Sequence, residues 1–252
     1  MDAKGVQLRG VRISGYLDLE AATLRCPLLL KSCYLDSEEP ACLDHATASR
    51  IGLTGCQLAG LTGKMLTARE LDLKRSTFTG PLSLPRVDVG RLSCRGARLG
   101  GTGRDGYALD AGRMKVGGNV YLDKAFTTAG AIRLGGADIG GDLRCGGAHL
   151  DGRDNDCNAL DAGGMKVGGS VYLDDGFTTA GAIRLGGTDI GSNLRCGGAH
   201  LDGRDNDCNA LDARRIKRLA GVCTSTAGSP LWEPYRSHRR TWEGRLCWPR
   251  PP

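Results

Sequence analysis

The sequence predicts an all-β chain coiled as a right-handed quadrilateral parallel β-helix of about 22 residues per coil, with an irregular C-terminal tail. Three observations predict it: an excess of glycine that helices cannot carry, a 51-residue duplication, and an 11-residue pattern nested inside that duplication. Residues 109–213 hold 23 glycines; at about 1 kcal/mol each in a helix interior, their cost exceeds a typical total stability of ~5–15 kcal/mol. Glycine does not fall at every third residue and proline numbers only nine, which excludes collagen. The apolar fraction of 40% is too high for a disordered chain.

Residues 109–159 and 160–210 match at 44 of 51 positions, and a third copy begins at Leu211. Inside each copy, Ile132, Leu134, Ala137 and Ile139 recur eleven residues later as Leu143, Cys145, Ala148 and Leu150. The pattern extends back to Val6, Leu8, Val11 and Ile13, and forward through starts at Leu17, Leu28, Ile51, Leu71, Leu82 and Leu92. Positions 1 and 3 share one face of a strand, and positions 6 and 8 share one face of the next, after a two-residue corner. So short a strand cannot bury its apolar side alone, so stacking of successive units is the stable solution. Small residues at position 6 (Ala22, Cys33, Cys56, Ala137, Ala148, Thr188, Ala199) suit a narrow interior. Each copy ends in an insertion, residues 151–159 and 202–210, with a related one at 100–108. These loops are expected to project from one edge, about 10 Å apart.

The domain reading is therefore a solenoid over 1–213 and a separate tail over 214–252. The tail holds all three Trp, at 232, 242 and 248, and nine Lys/Arg against two Glu, and its change of composition reads as a disordered or frame-shifted end. The formal charge of +6 resides there, since residues 1–213 carry 25 basic and 26 acidic side chains. No nucleic-acid surface is argued for the body, and mimicry of DNA would need a strongly acidic one. The start of the chain lacks the apolar core of an export signal, and no apolar run approaches the ~20 residues of a membrane span, so a cytoplasmic location is the expectation.

Candidate sites are weak. Gly101-Thr-Gly-Arg-Asp-Gly106 matches the dinucleotide fingerprint in letters, but it precedes another solenoid unit rather than a helix, so a surface loop and no cofactor is the reading. Asp154, Asp156 and Asn158, with Asp205, Asp207 and Asn209, alternate oxygen donors in the way Ca²⁺ uses them; a turn held by Asx hydrogen bonds is the plainer alternative. Eleven cysteines show no Cys-x-x-Cys spacing. Cys33, Cys56, Cys94, Cys145 and Cys196 fall on interior positions, while Cys157 and Cys208 sit on the loops. His149 and His200 fall on outward positions without further ligands beside them. No nucleophile, base and acid set is discernible, so no catalytic residue is assigned. The residues thus point to a non-enzymatic scaffold for an unidentified protein partner, with end-to-end association of solenoids as a further expectation.

The repeat also carries a resemblance. Val-Gly-Gly-x-Val-Tyr-Leu at 116–122 and 167–173, Gly-Ala-Ile-Arg-Leu-Gly-Gly at 130–136 and 181–187, and Gly-Ala-His-Leu-Asp-Gly at 147–152 and 198–203 resemble a family of actinobacterial solenoid proteins related to pentapeptide-repeat proteins. Members commonly bear the label membrane-associated oxidoreductase and are usually longer. The resemblance therefore implies a pentapeptide-repeat-like fold, an oxidoreductase as the alternative function, peripheral membrane association, and a chain that is an internal piece. It supplies no catalytic motif to carry onto these positions.

Overall fold

The computed structural model describes residues 5–203 and 210–219. Within them there is no helix, and parallel strands stack as a β-solenoid of about nine turns, ~23 residues apart. One coil shows the four sides: Lys115–Val116 on face one, Val120–Tyr121 on face two, Thr127–Thr128 on face three and Ala131–Arg133 on face four. Faces three and four are sheets of nine and eight strands, whereas faces one and two merge into one sheet of fifteen. They merge because Thr47–Thr54, Thr67–Asp72 and Asp88–Ser93 run unbroken from one face into the next.

Coil length varies while register does not. Thr47, Thr67 and Asp88 are successive partners 20 and 21 residues apart. Asp88 to Lys115 takes 27 residues and Asp138 to Lys166 takes 28, because each of these steps contains an insertion loop. The extra residues leave the ladder at a corner and return to it in phase.

The interior follows the 11-residue pattern. Ile51, Leu71, Leu92, Val120, Leu143, Val171 and Leu194 are consecutive rungs of one internal column, and all are buried. Each contributes on the order of 1.5–3 kcal/mol by leaving water. Val6, Leu8 and Val11 carry the same pattern but are 48%, 39% and 37% exposed, because a coil covers them on one side only.

Another column departs from the expected small interior. Backbone bonds from Thr127 to Ala97, His149 to Phe126, Thr178 to Ala148 and His200 to Phe177 place Ala97, Phe126, Ala148, Phe177 and Ala199 on successive coils. All five are buried. A phenyl ring every second coil fills the space that the alanines above and below leave open, which keeps the core close-packed.

The corner between faces four and one is left-handed in every coil. Ala21, His45, Met65, Arg86, Arg113, Gly136, Gly164, Gly187 and Arg215 all have φ between 54° and 71°. Only three of the nine are glycine. At each of the first eight, the corner N–H donates to the carbonyl of the next coil, as from Met65 to Pro85 and from Arg113 to Gly135, and this stacking holds side-chain-bearing residues in a conformation they otherwise avoid. The corner between faces three and four does need glycine: a Cβ on Gly152 would lie 2.1 Å from the Gly130 Cα.

The ladder also runs past the boundary expected at Ala213. Ile216 is buried in the place of Met114 and Met165, the Lys217 N–H bonds the Thr188 carbonyl, and Arg218–Leu219 pairs with Asp189 and Ile190. The three Trp of the tail lie outside the described residues.

Candidate functional site

The first two insertion loops, 100–108 and 151–159, fold onto the body and touch each other. Residues 100–106 and 151–157 take the same conformation: the Gly103 N–H bonds the Tyr107 carbonyl at 2.9 Å as the Asp154 N–H bonds that of Asn158 at 2.8 Å, and Gly106 and Cys157 occupy the same left-handed position. The coil between them turns at Gly130, which has no side chain to hold them apart. The Gly106 backbone therefore lies against the Arg153 carbonyl, and the Tyr107 hydroxyl donates to Asp154 Oδ2 at 3.1 Å. This replaces the expected row of separate loops about 10 Å apart.

Asp154 is the hub of this edge. It is 8% exposed, and its Oδ1 accepts the N–H groups of Asp156 at 2.9 Å and Asn158 at 2.8 Å, with the Asn158 amide reaching both oxygens at 3.3 Å. Burial, with the Asp154 carboxylate beside it, pushes the Tyr107 phenol far above its ordinary value. Asp154 thus spends its lone pairs on donors of its own loop and of the neighbouring one, which is the Asx-turn alternative. Asn158 is buried at 4% with its amide turned to that carboxylate. The second set, Asp205, Asp207 and Asn209, lies outside the described residues together with Cys208.

The fingerprint glycines have positions in this loop too. A Cβ on Gly101 would lie 2.2 Å from the Thr79 carbonyl oxygen of the preceding coil, and Gly106 has a φ of 81°. Tyr107–Asp110, a strand, follows directly. Cys33, Cys56, Cys94, Cys145 and Cys196 are buried at 2% or less. Burial pushes the Cys56 thiol up to about 11 and that of Cys94 to about 12, which suppresses the reactive thiolate. Cys157 is half-buried. His149 and His200 point outward, and His149 Nδ1 lies 2.7 Å from Thr178 Oγ1.

Sequence spacing missed two features, because both join residues from different coils. Asp18, Glu20 and Cys42 bring their ligand-type atoms within 4.8 Å of one another; the two acids are exposed and the cysteine is buried. The second is larger. Outward rows alternate in chemistry from coil to coil across the duplicated region. Face one reads Asp88, Lys115, Asp138, Lys166, Asp189; face two reads Tyr121, Arg144, Tyr172, Arg195; face three reads Thr127, His149, Thr178, His200; face four reads Asp110, Arg133, Asp161, Arg184, Asp212.

On face two the guanidinium groups lie over the rings, Arg95 at 3.9 Å and Arg91 at 4.9 Å from the Tyr121 centroid, and Arg144 at 4.9 Å from that of Tyr172. Arg95 and Arg144 also pair with Asp123 and Asp142, each at 2.9 Å. A 51-residue unit is two coils, so the outward groups that the two copies share repeat at roughly 9.6 Å along each face. No helix of the described residues is long and apolar enough to cross a membrane. No protein-family model, curated protein or solved structure matches the chain.

Proposed function

We propose that this chain is a non-enzymatic scaffold, a β-solenoid whose flat faces dock a protein partner, and that the repeat belongs with the actinobacterial pentapeptide-repeat-related solenoids it resembles. The observation that carries the reading is the two-coil alternation on all four faces. It makes a rigid surface with a fixed repeat, while the polar groups of the loop edge are engaged with one another. Rigid arrays of this kind suit a partner that meets several rungs at once, where many modest contacts add without ordering a flexible surface.

Affinity capture on the full 252-residue chain tests the reading. A specific protein retained by the native chain and lost on reversing one row, Arg144→Glu with Arg195→Glu, supports it. A flavin-like absorption band in the purified protein, or tight nicotinamide binding lost on substituting Gly101 and Gly103, overturns it in favour of an oxidoreductase. Thermal unfolding with and without a chelator separates the calcium alternative. The midpoint is expected to stay unchanged, because the oxygens of Asp154 are already engaged.

A further inference from the structure

Face four and its left-handed corner enclose two adjoining hollows of about 520 and 530 Å³ that share Arg184. Their floor is backbone: Gly112, Gly135, Gly163 and Gly186 stand on consecutive coils. The fold does not require glycine there. None of the four has a positive φ, and an added Cβ would meet only ordinary contacts or the ends of Asp110, Arg133 and Arg184 side chains, at 3.2 Å or more. The preceding coils confirm it, since the same column holds Lys64 and Pro85 on the same backbone path. The trough is open at Gly135 and Gly186 because of which residues occupy it, while the Arg133 and Arg184 side chains lie over Gly112 and Gly163.

Its charge is one-sided. The lining includes six arginines and three aspartates, in a body where residues 1–213 are one charge negative. Asp161 and Asp212 are held by Arg184 at 3.2 Å and Arg214 at 2.9 Å, and Arg133 lies 3.8 Å from Asp110. Arg86, Arg113 and Arg215 are exposed, and none of them forms an ion pair among the described residues. Arg86 and Arg113 stand on adjacent coils at one end of the trough and Arg215 at the other. Five coil steps separate Arg86 from Arg215, about 24 Å.

We propose that this trough binds an extended segment of a protein partner, about seven residues long, with acidic side chains at both ends and small residues between. An extended chain advances ~3.3 Å per residue, so seven residues reach from one arginine end to the other. The planar guanidinium groups take carboxylates in two-point hydrogen bonds; Arg133 and Arg184 lie over Gly112 and Gly163, while Gly135 and Gly186, with no arginine over them, let a main chain lie close. A single-stranded nucleic acid fits less well, because no aromatic side chain lines the trough to stack its bases. The inference rests on the scaffold reading and names the partner's chemistry.

The test uses the full chain and fluorescence anisotropy in low salt, with three labelled probes: the heptapeptide Glu-Glu-Ser-Gly-Ser-Glu-Glu, its lysine counterpart, and heptathymidylate. The acidic peptide is expected to bind and the lysine peptide to fail. Its affinity should fall about tenfold or more in Arg86→Glu with Arg113→Glu, and also in Gly135→Leu with Gly186→Leu, which fills the floor. Both variants should melt as the native chain does. No binding of the acidic peptide, binding untouched by either variant, or tighter binding of heptathymidylate in the trough overturns the proposal. If a captured partner is retained equally by the native chain and the floor-filled variant, the scaffold reading stands and the trough proposal falls alone.

Discussion

The two 51-residue copies, 109–159 and 160–210, differ at seven positions, and the structure shows which differences the coil absorbs. Asn119 becomes Ser170 and Asp142 becomes Asn193, yet the corner ladder survives. Asn119 Oδ1 accepts the Asp142 N–H at 2.8 Å, Asp142 Oδ1 that of Ser170 at 2.9 Å, and Ser170 Oγ that of Asn193 at 3.2 Å. Any residue with a short acceptor serves. Ala125, at a φ of 62°, becomes Gly176 at 81°, which relieves a strained position. The one interior difference behaves otherwise. Ala137 becomes Thr188, fully buried, and its hydroxyl has no hydrogen-bond partner. Corners tolerate substitution because they keep a backbone role, and the core does not because it has no water to offer.

The largest effect is expected where the copies agree. Phe126→Ala removes the ring that fills the gap between Ala97 and Ala148 and should cost about 3–5 kcal/mol in urea unfolding; Phe177→Ala should match it, and a much smaller loss would mean the column repacks. Next comes the contact between loops. Tyr107→Phe deletes the hydroxyl bond to Asp154 and should cost about 1 kcal/mol, with faster amide exchange confined to residues 152–158.

Thr188→Ala makes the second copy like the first and should stabilise by about 1 kcal/mol, since it removes a buried hydroxyl without a partner. A rise in the thermal midpoint is the readout. The smallest effect concerns Asp174, whose carboxyl is pushed up by burial and by Asp175, where the first copy has Lys124. An acid raised above its unfolded value of ~3.9 weakens folding when ionised. Its cost should fade as pH falls through the folded value and vanish below the unfolded one. Asp175→Lys should flatten that profile and add a few tenths of a kcal/mol at neutral pH.

Much of this was legible in the chain. The 11-residue pattern placed Ile132, Leu134, Ala137 and Ile139 inside, and the outward direction of His149 and His200 followed from the same count. Phe126 and Phe177 were not legible as interior fillers, because Val120 and Ile132, like Val171 and Ile183, lie twelve residues apart rather than eleven, and the pattern of small residues lapses between them. The ladder passes Ala213, where the sequence predicts its end, for a related reason: Arg214 and Arg215 interrupt the glycine pattern, yet the left-handed corner accepts arginine, and Ile216 continues the core as methionine does. The bond from Tyr107 to Asp154 joins residues 47 apart in the chain, and only coil stacking brings them together.

By itself the sequence determined that the chain coils, which side of each strand is buried, and that two coils make the repeat. These are local consequences of spacing, since a period of two sets the face and the glycines permit the corners. The tertiary structure alone decided that the loops close over Gly130, that opposite charges alternate up faces one and four and tyrosine with arginine up face two, and that a glycine-floored trough runs beside Arg86, Arg113 and Arg215. Those features depend on which rung lies above which, and that alignment is set by coils of 20 to 28 residues whose differences the chain absorbs only when it is folded.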